Sequence, residues 1–370
     1  MKQSILGFTP LLMGFLCAAN LAAEEAPFII PENHEGKPVM MKILDTRLLC
    51  DGMKGQNYWF NGCMEYAMEC LGEDIAVYNY WFFSNITGDS LMQLYGKDIR
   101  KTAWCPSRNV FDHAFAKRAF DACGYEFEFA TGITDANRAE FFPRIKASID
   151  KNIPVICRDG KEYWDALICG YEDDKLYYLI CDKEHPEIFP ASFEGLIFIG
   201  AKKERPAPAE VYKRAVMDIP SFLTRPSTAE YAFGKQAFVD WAGRFQDGTF
   251  DNVPAGDINA WNVHGTYLCQ IGTNGCADDL LWRARETNSE MAPMLDELRP
   301  LYEKWGEIFH VLAYRDADGN NDYQNGGLLG GFNIKPEAIK DKAAMKTVSD
   351  KIMEAAGVCD EILAVFKKYE

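Results

Sequence analysis

Cys63 is the residue best placed for chemistry. It opens a run, Cys63 to Leu71, with helical spacing that ends at Gly72, and Asn61-Gly62 before it reads as a turn or cap. A thiol in the first turn of a helix faces unsatisfied N–H groups and the positive end of the dipole, which both favour thiolate. Gln56, a little upstream, could donate to an oxyanion. Further along, the strand-like run Ala166–Tyr171 holds Cys169-Gly170-Tyr171, and Asp182 follows the next apolar run. In such an order an imidazole on a facing strand takes the thiol proton, and a carboxylate orients that imidazole. The competing reading is that Cys63, with Tyr66, Ala67 and Cys70 after it, is ordinary packing.

The elements that must position these groups follow from periodicity. Residues 24–56 read as irregular, with Pro27, Pro31 and Pro38. The aromatic segment Ile75–Ile86, with Tyr78, Tyr80, Trp81, Phe82 and Phe83, reads as core, and Thr87-Gly88-Asp89-Ser90 as a turn. Helical spacing over 109–122 is followed by alternation at Tyr125–Phe129. A second helix is expected over 137–151, then strands at 154–157, 166–171 and 176–181. Helices first and antiparallel strands afterwards predict an α+β fold rather than a doubly wound sheet. A charged, Pro-containing linker at 202–212 precedes a stretch, 213–370, that reads helical throughout. Ser227 with Glu230 forms a capping-box pattern, opening a helix with Tyr231, Phe238, Trp241 and Phe245 in one stripe. Two further stripes run through Leu295, Leu298, Tyr302, Trp305, Phe309 and Leu312, and through Ile339, Val348, Ile352, Cys359, Leu363 and Phe366.

The segments 61–72 (Asn-Gly-Cys-Met-Glu-Tyr-Ala-Met-Glu-Cys-Leu-Gly) and 166–174 (Ala-Leu-Ile-Cys-Gly-Tyr-Glu-Asp-Asp), with Ile180-Cys181-Asp182 as a shorter echo, carry a family likeness. Their order resembles the papain-like cysteine peptidase fold, nearest the branch of bacteriocin-leader peptidases and the N-terminal domain of butirosin-type acyltransferases. The resemblance covers roughly residues 50–200 and implies a papain-like domain over 24–201 followed by the helical domain. It implies Cys63 as nucleophile, Gln56 assisting the oxyanion and Asp182 orienting the base. It also implies a peptide or a small acyl or amine compound as substrate, with no cofactor. One position departs from the pattern. The family histidine would stand five or six residues before Gly170, where this chain has Asp165 and Trp164. Neither side chain shuttles protons near neutral pH as imidazole does. The five histidines lie elsewhere, at His34, His113, His185, His264 and His310, with His113 on a predicted helix and His185 just after Asp182. Two readings therefore compete. One is thiol-based hydrolysis or acyl transfer at Cys63 with a degenerate triad. The other is an inactive module of the cell envelope that binds a peptide or glycan, with Trp164 and Asp165 in a repurposed pocket.

The N-terminus bears on compartment. Lys2, an apolar run from Ile5 to Leu16, and the small residues up to Ala23 read as a cleavable export signal over 1–23. Its glycines and Pro10 make it a poor spanning helix, and no later stretch is long and apolar enough for one. A secreted or periplasmic location is expected, with no stable membrane insertion after cleavage. A net charge of −16 argues against nucleic acid and anionic membranes as partners. Losing Cys17 with the signal leaves an odd number of cysteines, so at least one thiol lacks an intrachain partner. Cys269 and Cys276, flanking Gly272-Thr273-Asn274-Gly275, are the best local disulfide candidates. No zinc spacing is present. Residues 316–322 resemble the start of a calcium loop, but the glycine comes too early and Gly327 replaces the chelating Glu, so a polar loop is expected. Asn85-Ile86-Thr87 is a glycosylation sequon.

Overall fold

A computed structural model of the chain describes residues 41–44, 56, 58–99, 113–159, 166–173, 175–180, 187–189, 193–257, 260–261, 277–316, 318–322, 326–330, 336 and 341–370. The export signal and the Cys269–Cys276 pair lie outside them. In chain order the elements are β1 (Met41–Ile43), α1 (Trp59–Cys70), α2 (Tyr80–Thr87), β2 (Leu94–Gly96), α3 (His113–Cys123) and β3 (Tyr125–Ala130). A 3-10 turn at Arg138–Phe141 runs into α4 (Phe142–Ile149), and then come β4 (Val155–Asp159), β5 (Ala166–Glu172), β6 (Lys175–Leu179), β7 (Glu187–Phe189) and β8 (Phe193–Lys202). The remainder is α5 (Pro208–Met217), α6 (Ile219–Leu223), β9 (Tyr231–Phe233), α7 (Lys235–Arg244), α8 (Ala277–Thr287), α9 (Ala292–Ala313) and α10 (Lys342–Lys368). Mixed helices and antiparallel sheets make this an α+β protein.

The described residues form two compact units. One takes those up to Phe83 and those of Ala116–Arg205; the other takes those of Ser84–Phe115 and Pro206–Glu370. Residues 84–115 thus group with the C-terminal part, although they precede most of the first unit's strands.

The first unit is built on a sheet in the order β3-β8-β4-β5-β6-β7, antiparallel throughout, with β1 added beside the end of β5. The edge strand β3 alternates as its Tyr-Glu-Phe-Glu-Phe sequence requires: Glu126 and Glu128 are exposed, and Phe127 stacks on Phe120 of α3 at 4.6 Å. The central strand β5 is apolar at nearly every position and is buried from Ala166 to Tyr171, with α1 and α4 packed on it. Between Ile168 and Gly170 the β5–β6 register slips by one, leaving Cys169 as the extra residue of a bulge. The expected helix over 137–151 is shorter than its pattern, because the 3-10 turn takes the first residues; Ile145 and Ile149 still point inward.

The second unit corrects the expectation of an all-helical domain, since β9 pairs antiparallel with β2. The capping-box reading fails there too. Tyr231 lies in β9, Thr228 closes a local turn by accepting the Glu230 and Tyr231 N–H groups, and the helix starts only at Lys235. Gly234 sets that start with φ +54°, a conformation open to glycine, and a Cβ there would stand 2.0 Å from the Leu223 carbonyl oxygen. Linker residues 208–212 are helical in α5, which opens with Pro208 in its first turn. Phe238, Trp241 and Phe245, the whole α9 stripe, and Val348, Ile352, Cys359 and Phe366 of α10 are buried in the core, whereas Leu363 is half-buried and Ile339 lies outside the described residues. Trp305 is fully buried, and its indole N–H donates to the Ala355 carbonyl at 2.9 Å, joining α9 to α10. The calcium-like loop is a hydrogen-bonded hairpin: Asp316 Oδ1 accepts the N–H groups of Asp318 and Asn320. Leu328 and Leu329 then return to cap the Val311 and Leu312 carbonyls at the end of α9.

Candidate functional site

The helix bearing Cys63 starts four residues earlier than its spacing predicted. Tyr58 is extended and serves as N-cap, the Asn61 N–H reaches back to the Tyr58 carbonyl at 3.1 Å, and Asn61 and Gly62 lie buried inside the helix rather than ahead of it. Asn-Gly reads as a turn from local propensity, and packing overrides that propensity here. The correction matters chemically. Cys63 is the fifth helical residue, so its own N–H falls to the helix ladder, and it sits past the turn where the dipole acts most strongly. At the other end the reading holds: Gly72 takes φ +75°, and the N–H groups of Gly72 and Glu73 bond the Glu69 and Met68 carbonyls in a Schellman ending.

Cys63 itself is 0% exposed, among Phe60, Met64 and Ala67, which are buried to the same degree. Two residues on, Glu65 is a carboxylate that could have served an imidazole. Its Oε2 instead accepts the backbone N–H of Tyr80 at 2.6 Å, while Asn79 accepts that of Phe82 at 3.0 Å. Both acceptors cap the start of α2, where donors lack helical partners. The Tyr80 hydroxyl in turn accepts the Tyr58 N–H at 2.9 Å. The starts of α1 and α2 are therefore cross-tied, with the Glu65 carboxylate engaged by backbone.

The other candidates are placed as follows. Gln56 is half-buried just ahead of α1. His113 is the first residue of α3, exposed, and grouped with the second unit. Asp182, Asp165 and Trp164 lie outside the described residues, as do His34, His185 and His264. The Cys-Gly-Tyr motif falls on β5, with Cys169 at its bulge. Burial pushes the Cys169 thiol up to about 12, helped by the charge of Cys70 at the end of α1. Burial likewise raises Cys123 and Cys359 to about 12. These three are inert core sulfurs that donate weakly to nearby carbonyls.

Sequence reasoning missed a cluster of charged groups around Glu73 in the first unit. Glu73 Oε1 accepts the Tyr125 hydroxyl at 2.5 Å and the Lys202 ammonium at 2.6 Å, and its Oε2 lies 2.8 Å from Arg205. Burial works to raise the carboxyl, but these three donors outweigh it and hold Glu73 at about 2. Arg205 also lies over the Tyr78 ring at 4.8 Å. The one local signal was an acid directly after a helix-ending glycine; its partners are 52 and more residues away.

Among the described residues no group of His, Cys, Asp and Glu side chains could hold a metal ion, and no helix is long and apolar enough to cross a membrane. No protein-family model matches the chain, and no curated protein matches it.

Proposed function

We propose that this chain is an exported protein that binds a peptide or glycan without turning it over, built on a core of the papain-like type whose thiol no longer serves as a nucleophile. The observation that carries this reading is the burial of Cys63 at 0% exposure in the second turn of α1. Nucleophilic catalysis requires a sulfur that meets substrate and a base that takes its proton. The sequence supports the same reading, because Asp165 and Trp164 stand where the family's imidazole would be. A binding role keeps the cleft that the resemblance implies and asks nothing of the thiol.

The test is thermal unfolding of the mature protein against short peptides and oligosaccharide fragments, run alongside product analysis. A ligand at about a hundredfold its dissociation constant adds about 2.7 kcal/mol of stability, a clear rise in Tm. The expected result is such a rise with the ligand recovered intact, and the same rise with Cys63→Ala. Ligand cleavage or acyl transfer that Cys63→Ala abolishes would overturn the proposal in favour of a thiol enzyme.

A further inference from the structure

The sequon Asn85-Ile86-Thr87 lies in the last turn of α2, at the start of ten consecutive buried residues, Ser84–Gln93, in the second unit. Six of the ten are polar, and Ser84, Asn85, Thr87, Asp89 and Ser90 are hydrogen-bonded through their side chains. Ser84 donates to Asp89, Thr87 accepts the Asp89 N–H, and Gly88 turns the chain with φ +86° against the Phe222 ring. Asn85 is 1% exposed, and both ends of its amide are engaged. Its Oδ1 accepts from the Ser90 hydroxyl at 2.8 Å, and its Nδ2 donates to Asp279 Oδ2 at 2.9 Å. Asp279 is held in turn by the Arg283 guanidinium at 2.9 and 3.0 Å.

N-linked glycosylation replaces one Nδ2 hydrogen with a sugar. In this fold that nitrogen donates to the half-buried Asp279 carboxylate, and Asn85 itself is buried. A sugar ring on a side chain this buried must push aside what covers it and disturb the bonds to Ser90 and Asp279, leaving buried polar groups unsatisfied. Yet the sequence is a good acceptor, with Thr at the third position and no proline. Transfer of the oligosaccharide to an unfolded chain precedes burial of the site.

We propose that glycosylation of Asn85 and folding of the second unit exclude each other, so that the export route of this protein is one that attaches no oligosaccharide to Asn-X-Thr. The conclusion about route rests on the export reading; the exclusion itself does not. It is tested by secreting the chain from eukaryotic cells, with a host signal peptide in place of residues 1–23, with and without tunicamycin. Occupancy of Asn85 is then measured by mass spectrometry in the secreted monomer and in the retained fraction. The expected result is glycan at Asn85 confined to retained, misfolded chain, and a secreted yield that rises on the order of tenfold when glycosylation is blocked, because chains without the glycan fold and pass quality control. A secreted, cooperatively unfolding monomer with glycan on Asn85 would overturn the proposal. So would retained chain free of glycan, or a yield that tunicamycin leaves unchanged. Because the host supplies the signal, none of these outcomes depends on whether residues 1–23 act as one or on what the protein binds.

Discussion

Arg205 faces the Glu73 carboxylate at 2.8 Å, fastening the end of the first unit's chain to the turn that closes α1. Lys202 and Tyr125 complete the set of donors, so this acid joins the helix end to β3 and β8. Because the folded carboxyl is held at about 2 against an ordinary 4.5, its contribution is fully present above pH 4.5 and is lost as pH falls toward 2. Lys202 is well exposed, and solvent screening reduces the effect to on the order of 1–2 kcal/mol. Glu73→Gln should lower stability at neutral pH by that amount and flatten the acid limb of the stability profile. Urea unfolding at pH 7, 4.5 and 3 measures both; an unchanged acid limb in the variant would show that another group dominates there.

Gly234→Ala tests the start of α7. The glycine has φ +54° and ψ −135°, and its new methyl group would collide with the Leu223 carbonyl at 2.0 Å. A loss of about 3 kcal/mol or more is expected from strain and clash together. Gly243→Ala, with open space around its Cβ position on the same helix, is the control and should be neutral or slightly stabilising.

Trp305→Phe should cost about 1–3 kcal/mol, because it removes the buried indole N–H bond to the Ala355 carbonyl and part of a ring packed on Phe238 and Tyr302. Thermal unfolding followed by near-UV circular dichroism reads the loss.

The hairpin at Asp316 gives a prediction about metal. Its carboxylate is occupied with the N–H groups of Asp318 and Asn320, so Asp316→Ala should destabilise by about 1 kcal/mol. Millimolar calcium should shift the Tm of neither protein. A calcium-dependent rise in the wild type that Asp316→Ala removes would restore the calcium-loop reading.

Much of the fold was legible where burial and periodicity agree. The β5–β6 hairpin, the glycine that ends α1 and the stripes of α9 and α10 were all written in local patterns. What was not legible depends on distant partners or on context. Asn61-Gly62 looks like a turn but lies within a buried helix, so Cys63 moves from the first turn to the second. Tyr231 fits a helical stripe but pairs with Gly96 in a two-stranded sheet, and Gly234 delays the helix. The acids show the same limit. Glu65, Glu73 and Asp279 gain their roles from Tyr80, Arg205 and Asn85, and no spacing rule names those partners.

The central claim concerns one sulfur, and site-resolved alkylation tests it most directly. The mature protein is treated with iodoacetamide at pH 6 to 8, native and urea-unfolded, and the peptide containing Cys63 is quantified by mass spectrometry. A thiol that is reached only through opening of the fold should react more slowly in the native state by roughly a thousandfold or more. Native labelling of Cys63 as fast as in the unfolded chain, or faster at pH 6, would contradict this account and mark Cys63 as a working nucleophile.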